Sequence, residues 1–159
     1  MLRIALYQPD IPQNTGALLR LGACLNVPVD IIEPCGFVLT DRGLRRAGMD
    51  YLEMAALQRH DSWTSFCNDL DQTGRRLILL TTKAAIAYTA FQFKPGDTLL
   101  LGRESAGAPQ EVHDRADARL VIPMLAGRRS LNVALSAAMA LGEGLRQLNG
   151  FAPMREGEG

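Results

Sequence analysis

The chain has 159 residues, of which 47% are hydrophobic and 21% charged, and its formal net charge at pH 7 is zero. This size and composition are typical of one globular domain and argue against a disordered or fibrous chain. No apolar run approaches the roughly 20 residues that a membrane-spanning helix needs, and the first residues lack a signal-peptide pattern. We therefore expect a cytoplasmic protein with no membrane partner.

The basic residues are almost all arginines, and they cluster locally. Arg42, Arg45 and Arg46 form one group, and Arg128 and Arg129 form another. Because guanidinium forks bind phosphates well, the neutral net charge argues only mildly against an RNA substrate. Two interpretations stay open: a phosphate-binding surface, or a general preference of the genome for arginine over lysine.

The cysteines and histidines show no pattern of a metal or nucleophilic site. Cys24, Cys35 and Cys67 are widely spaced and form no CxxC pair, so we expect reduced thiols that mostly serve packing. His60 and His113 are expected to be solvent-exposed and to take no part in catalysis. No metal site is expected.

In the first half of the chain, apolar runs alternate with an amphipathic segment. Strands are predicted at 2–7 and 29–32, with a weaker candidate at 52–57. The helix between the first two strands is expected to be capped by Asn14 or Thr15 and to bury a stripe of leucines. Asp41 is expected to cap a short arginine-rich helix that Gly48 closes.

The second half continues this alternation. Ser62 is expected to cap a helix through residue 70, and Pro109 suits the first turn of a helix ending near residue 116. Further strands are predicted at 76–81, 98–101 and 119–122, and a final helix from about Ser130 to Gln147. The pattern predicts an α/β fold with a parallel, helix-covered sheet. One domain over residues 1–150 and a flexible tail over 151–159 are expected.

A glycine-bearing segment, Gly102-Arg-Glu-Ser-Ala-Gly107, follows one predicted strand. A residue without a Cβ lets the backbone approach a ligand closely. The segment lacks both the GxGxxG spacing of dinucleotide-binding loops and the GxSxG frame of hydrolases. Nicotinamide binding and serine hydrolysis are therefore disfavoured.

Four motifs occur in a fixed order along the chain. They are Asn14-Thr-Gly16 with Arg20, then Leu101-Gly-Arg-Glu-Ser-Ala-Gly107, then Ile122-Pro-Met124, then Ser130-Leu-Asn-Val-Ala134. This order resembles the SpoU branch of the SPOUT RNA methyltransferases. Within that branch, the chain resembles the small TrmL (YibK-like) enzymes, which methylate the 2′-oxygen of nucleotide 34 in tRNA. The segments that carry this resemblance are Ile11-Pro-Gln-Asn-Thr-Gly16, Ile31-Ile-Glu-Pro34, Leu44-Arg-Arg-Ala-Gly-Met-Asp-Tyr51 and Leu80-Thr-Thr-Lys83. The resemblance covers nearly the whole chain.

The resemblance implies a single-domain SPOUT fold whose C-terminal segment is threaded into a deep trefoil knot. Knots are rare exceptions, so periodicity alone predicts an unknotted sheet. The resemblance also implies S-adenosylmethionine (AdoMet) as the methyl donor, without a metal. The residues expected to line its site are Leu80, Gly102, Ile122, Met124, Ser130 and Leu131.

Four residues are implied in methyl transfer. Arg20 is the main candidate, and because a guanidinium stays charged, we expect it to position phosphate and hydroxyl groups while the proton acceptor stays open. Asn14, Glu104 and Asn132 are the other three. Helix capping is the alternative role for the two asparagines, and an exposed turn carboxylate is the alternative for Glu104.

The implied partners are the anticodon loop of tRNA and a second copy of the chain. Unpaired loop nucleotides are accessible to enzymes that act at one RNA position, and leucine isoacceptors are the expected substrates. A homodimer would let the arginines of one protomer hold tRNA for the other. Arg103 and Ala106 stand where some relatives have proline and arginine, which leaves the place of one RNA-contacting arginine open. The alternatives are methylation of another tRNA position or of rRNA, and a knotted RNA-binding factor without catalysis.

Overall fold

The computed structural model describes residues 1–40, 42, 56–155 and 157. Strands within these ranges are β1 (Arg3–Tyr7), β2 (Val29–Ile32), β3 (Leu57–His60), β4 (Leu77–Leu80), β5 (Ile86–Ala87), β6 (Thr98–Leu101) and β7 (Ala118–Val121). Strands β2 and β6 are buried at every position and β4 at all but its last. Such continuous burial is typical of strands in a parallel sheet with helices on both faces.

The described strands form one seven-stranded sheet in the order β3-β2-β1-β6-β4-β7-β5. Every pairing in it is parallel, which confirms the α/β class expected from the sequence. The carboxyl ends of β6, β4 and β7 therefore meet side by side at one edge. This edge is where open α/β sheets bind their ligands.

Helices cover both faces of the sheet. The described helices are α1 (Pro12–Leu25), α2 (Trp63–Thr73), α3 (Gln110–Arg115) and α4 (Val133–Gln147), with a 3-10 turn at Tyr88–Ala90. Leucines of α1 and the small residues Ala137 and Ala140 of α4 pack in one hydrophobic cluster. Phe66 and Leu70 of α2 pack with Val112 of α3 in a second cluster on the other side. None of the described helices is long and apolar enough to span a bilayer.

Two predicted helix starts are wrong. Helix α1 begins at Pro12, and its N-cap residue Ile11 makes no side-chain cap, so neither Asn14 nor Thr15 caps it. The fixed φ of proline suits the first helical position, where the N–H that proline lacks would have no partner. Helix α4 begins at Val133 rather than near Ser130.

Several other boundaries agree with the sequence pattern. Ser62 caps α2 by accepting a hydrogen bond from the Ser65 N–H, as predicted. Strands β4, β6 and β7 lie at or within one residue of the predicted ranges. Strand β5 is two residues long and was not predicted. All but one residue of the predicted helix from Asp41 to Gly48, and most of the predicted strand at 52–57, lie outside the described residues.

The histidines are buried, contrary to expectation. His60 is 4% exposed and His113 is 9% exposed. Each side chain faces the core, although its neighbours in the sequence are polar and gave no indication of burial. The three cysteines are free: Cys24 is exposed, whereas Cys35 and Cys67 are half-buried. A packing role is therefore wrong for Cys24. Burial raises the pKa of the Cys35 thiol to about 11.

Candidate active site

A cavity of about 570 Å³ opens where the carboxyl ends of β4, β6 and β7 meet. Its walls are the segments that follow these strands, the start of α1 and the approach to α4. The lining residues are 11, 14, 80–83, 101–104, 106–108, 113, 121, 122, 124, 129–133 and 136. This volume is in the range of small-molecule sites.

The structure brings nine of the ten expected site residues to this cavity. The nine are Asn14, Leu80, Gly102, Glu104, Ile122, Met124, Ser130, Leu131 and Asn132. They come from parts of the chain more than 100 residues apart. The parallel sheet explains this assembly, because it places the loops after non-consecutive strands side by side.

Arg20 is the exception. It lies on α1 and is exposed, outside the set of lining residues. It lies six positions after Asn14, and at 3.6 residues per turn the two side chains leave α1 in directions about 120° apart. Within one chain, the structure therefore does not bring Arg20 to the cavity wall.

The Gly102–Gly107 segment forms a tight hairpin at the cavity wall. The Arg103 N–H donates to the Gly107 carbonyl at 3.1 Å, and the Gly107 N–H donates to the Arg103 carbonyl at 2.8 Å. Gly107 has a φ of +66°, in the left-handed region that glycine adopts without strain. A Cβ at Gly102 would lie 2.7 Å from the Ala108 nitrogen, so the close return of this hairpin requires glycine.

Glu104 is coupled to Asp10 beside the cavity. Glu104 Oε2 accepts a hydrogen bond from the Asp10 N–H at 3.0 Å, and the Ser105 hydroxyl donates to the Asp10 carboxylate. Hydrogen bonds from the Glu104 and Ser105 side chains hold the pKa of Asp10 at about 2. Burial, followed by the contact with Asp10, raises the pKa of Glu104. Glu104 is therefore a half-buried carboxyl with a raised pKa rather than an exposed turn residue.

Asn132 connects two walls of the cavity. Its Oδ1 accepts hydrogen bonds from the N–H groups of Ala134 and Leu135 at 2.9 and 3.3 Å, which makes it the N-cap of α4. Its Nδ2 donates to Asn14 Oδ1 at 3.1 Å. Asn132 thus caps a helix and also contacts Asn14 at the cavity wall.

Among the polar residues at the wall that sequence reasoning missed are Thr81 and His113. His113 lies on α3, with its Nε2 3.2 Å from Thr81 Oγ1 and its Nδ1 3.2 Å from the Pro109 carbonyl oxygen. One histidine in a six-residue helix carries no periodic signal. The motif Leu80-Thr-Thr-Lys83 could have pointed to Thr81, although not to its partner.

The other buried histidine belongs to a charged cluster between strands. Asp30, fully buried on β2, accepts two hydrogen bonds of 2.9 Å from the Arg3 guanidinium and lies 2.9 Å from His60 Nε2. Together with Asp69, Asp30 and His60 offer ligand atoms within 4.8 Å of one another. Arg3 already neutralises Asp30 there, and none of these residues lines the cavity. The cluster is therefore best explained as a set of polar contacts that joins β1, β2 and β3.

Comparisons with known proteins agree with this architecture. The family model described as SpoU rRNA Methylase matches residues 1–142. The tRNA (cytidine(34)-2′-O)-methyltransferase of Beijerinckia indica is 60% identical over 153 residues, which cover 96% of each chain. A solved structure described as "Structural insights into the 2-OH methylation of C/U34 on tRNA" superposes with a TM-score of 0.88 at 41% identity. It covers 94% of this chain and 97% of that one.

A more distant structure shares the fold. An AdoMet-bound rRNA methyltransferase from Sinorhizobium meliloti has a TM-score of 0.83 at 23% identity, over 92% of this chain and 56% of that one. The family match over most of the chain, the high identity and the parallel sheet with its cavity all agree. The chain belongs to the SpoU rRNA methylase family.

Proposed function

We propose that the chain is a tRNA methyltransferase that transfers a methyl group from AdoMet to the ribose 2′-oxygen of cytidine or uridine 34. The cavity beyond β4, β6 and β7 carries this proposal, because it gathers nine residues of the expected motifs. The relative that is 60% identical has this activity in its name. The structure that is 41% identical concerns methylation of the same nucleotide.

The cavity lining fits AdoMet. Leu80, Ile122 and Leu131 offer apolar surface for an adenine ring, and the Ser130 hydroxyl offers a polar contact in the same cavity. A cavity that combines apolar walls with a few polar groups is typical of sites for cofactors of this size. When bound, AdoMet supplies an electrophilic methyl group on a sulfonium.

The chain's own residues then have to align the attacking hydroxyl. Asn14, held by Asn132, presents its side chain at the cavity edge, where it can orient a ribose. Glu104 accepts a hydrogen bond from the Asp10 N–H and thereby fixes the loop before α1 against the hairpin that lines the cavity. Alignment of this kind supplies much of the rate enhancement in transfers between bound reactants.

Arg20 is assigned to the substrate rather than to the methyl donor. Its charged guanidinium suits the phosphate and hydroxyl groups of the nucleotide, and its exposed position on α1 leaves it accessible to RNA. Arg103, whose Nε is buried without a hydrogen-bond partner among the described residues, offers a second cation at the cavity wall.

A homodimer completes this assignment. Leu135 and Met139 lie one turn apart on α4 and are 62% and 43% exposed, which gives that helix an apolar stripe for a second copy. In such a dimer, Arg20 of one protomer serves the cavity of its partner. Gel filtration with light scattering tests the dimer, and a single-chain mass at working concentration contradicts it.

Mixed dimers test the sharing of Arg20. In a statistical mixture of Arg20→Ala and Gly102→Val chains, half of the dimers contain one of each, and one of the two sites in these is intact if Arg20 acts across the interface. About a quarter of wild-type activity should then return in a symmetric dimer. No recovery would place Arg20 in the site of its own chain.

The trefoil knot is also part of the proposal. Residues 129–133 line the cavity together with residues of the segments after β4 and β6, and Asn132 contacts Asn14 of α1. This path suits a C-terminal segment that passes through a loop. An experimental chain trace that closes into an unknotted path would contradict it.

A labelled-methyl experiment tests the activity. The protein is incubated with labelled AdoMet and total tRNA, in parallel with rRNA, and the modified nucleotide is mapped. A 2′-O-methyl group at nucleotide 34, with leucine isoacceptors as the labelled species, is expected. Label at another tRNA position or in rRNA favours the second substrate class, and AdoMet binding without transfer to any RNA favours a non-catalytic RNA-binding factor.

A further inference from the structure

His113 occupies an unusual place for a histidine that no motif accounts for. It is 9% exposed, and it lines the cavity from α3, just after the Gly102–Gly107 hairpin. Its ring contacts Thr81, which follows β4 and also lines the cavity. His113 therefore joins the segment after β6 to the segment after β4.

The hydrogen-bond chain through His113 has a defined direction. The Pro109 carbonyl oxygen can only accept, so Nδ1, 3.2 Å away, carries the proton. In the neutral ring Nε2 is then an acceptor, and the Thr81 hydroxyl donates to it at 3.2 Å. The Thr81 oxygen in turn accepts from the Lys83 N–H at 3.2 Å.

This chain fixes the turn that leaves β4. Thr81 also donates its main-chain N–H to the Leu120 carbonyl at 2.9 Å, which holds its backbone to β7. The side-chain bonds to His113 and Lys83 fix the hydroxyl and the following two residues. Residues 81–83 all line the cavity, so their main-chain groups are presented to a ligand in one arrangement.

We propose that His113 is a positioning residue for the methyl donor. It acts through Thr81, holding the 81–83 turn in the conformation that binds AdoMet, and it does not take part in the transfer step itself. This inference rests on the proposed function, because it requires AdoMet in the cavity.

Two amide variants separate this role from packing. In His113→Gln the amide group can reach the position of Nε2 and keep the contact with Thr81. In His113→Asn the shorter amide can replace Nδ1 at Pro109 but cannot reach Thr81. Thr81→Ser retains the hydroxyl and Thr81→Val removes it, which gives a second matched pair at a partly exposed position.

The measurement is calorimetric binding of S-adenosylhomocysteine to the full chain, with thermal melts of each variant and steady-state kinetics. His113→Asn and Thr81→Val should weaken binding about 2- to 10-fold, the effect of losing one neutral hydrogen bond. His113→Gln and Thr81→Ser should stay near the wild type. The KM for AdoMet should rise in the first pair while kcat stays within about twofold, and the double variant His113→Asn/Thr81→Val should bind no more weakly than the weaker single variant.

The outcomes separate this inference from the function on which it rests. Wild-type protein that does not bind S-adenosylhomocysteine would overturn the proposed function. Wild-type binding with unchanged affinity in His113→Asn, or effects of the two substitutions that simply add, would overturn the role of His113 alone. Equal losses in His113→Gln and His113→Asn would do the same, because only packing would then be at work.

Discussion

Replacement of Gly102 by alanine tests how closely the cavity depends on the hairpin that follows β6. An added Cβ would lie 2.7 Å from both the Ala108 nitrogen and the Gly107 carbonyl carbon. Both atoms belong to the backbone, so no side-chain rotation can relieve the contact. Ordinary contacts begin at 3.4 Å, and the hairpin must therefore move by about 0.7 Å.

Such overpacking costs roughly 1–3 kcal/mol. If AdoMet binds only when the hairpin has its present position, this energy opposes binding and lowers affinity by about 5- to 150-fold. The Arg103–Gly107 hydrogen bonds, at 2.8 and 3.1 Å, resist a local adjustment that would spare the cavity.

The assay is calorimetric titration with S-adenosylhomocysteine, together with a denaturant unfolding curve. Gly74→Ala is the matched control, because Gly74 follows α2 away from the cavity, has a φ of +64° and has no neighbour within 4 Å of an added Cβ. This control should lose about 1 kcal/mol of stability through backbone strain and keep full affinity. Equal affinities of Gly102→Ala and the wild type would refute the reasoning.

Four further predictions concern single side chains. Arg20→Ala should abolish methyl transfer and leave AdoMet affinity nearly intact, as measured by turnover and titration; normal turnover would remove Arg20 from the mechanism. Ser130→Ala should mainly weaken AdoMet binding, and an unchanged Kd would overturn that assignment. Asp30→Asn should cost roughly 1–3 kcal/mol of unfolding free energy, because it removes the buried carboxylate that accepts charge-assisted hydrogen bonds from Arg3, whose side chain is 21% exposed; a loss below about 1 kcal/mol in urea denaturation would contradict this. Burial raises the pKa of Glu104 in the folded protein. Protonated Glu104 therefore adds to the free energy of unfolding below about pH 4.5, and this contribution is lost as the pH rises through the raised pKa. Glu104→Gln should therefore lose less stability than the wild type between pH 4.5 and pH 8, and parallel stability curves for the two proteins would argue against the shift.

The sheet could be predicted largely from local sequence. Buried parallel strands appear as continuous apolar runs, and Leu77-Ile-Leu-Leu80 and Thr98-Leu-Leu-Leu101 are clear examples. Strand β5 has two residues and depends on pairing with β7, so its own sequence carries no signal. Asn14 and Thr15 are good capping types, yet the preorganised Pro12 starts α1 earlier.

The position of the cavity was predictable only through the ordered motifs. No local pattern places Asn14 next to Asn132, which lies 118 residues away and meets it through one hydrogen bond. Likewise the Asp10–Glu104 contact joins residues 94 apart. Such pairs depend on the strand order of the sheet, which periodicity leaves undetermined.

The burial of the two histidines could not be predicted from the local sequence. Polar neighbours in sequence suggested exposed side chains, but His60 lies against Asp30 and His113 against Thr81. In both cases a partner from another strand or loop satisfies the ring, and a satisfied polar group can be buried at little cost. Burial of this kind follows from tertiary contacts alone.

The most direct test of the account is a crystal structure of the protein with S-adenosylhomocysteine. The ligand should lie in the cavity beyond β4, β6 and β7, against Gly102, Ile122 and Leu131. A ligand bound elsewhere on the chain, or a cavity closed by the surrounding loops under saturating ligand, would contradict the assignment of this cavity to the methyl donor.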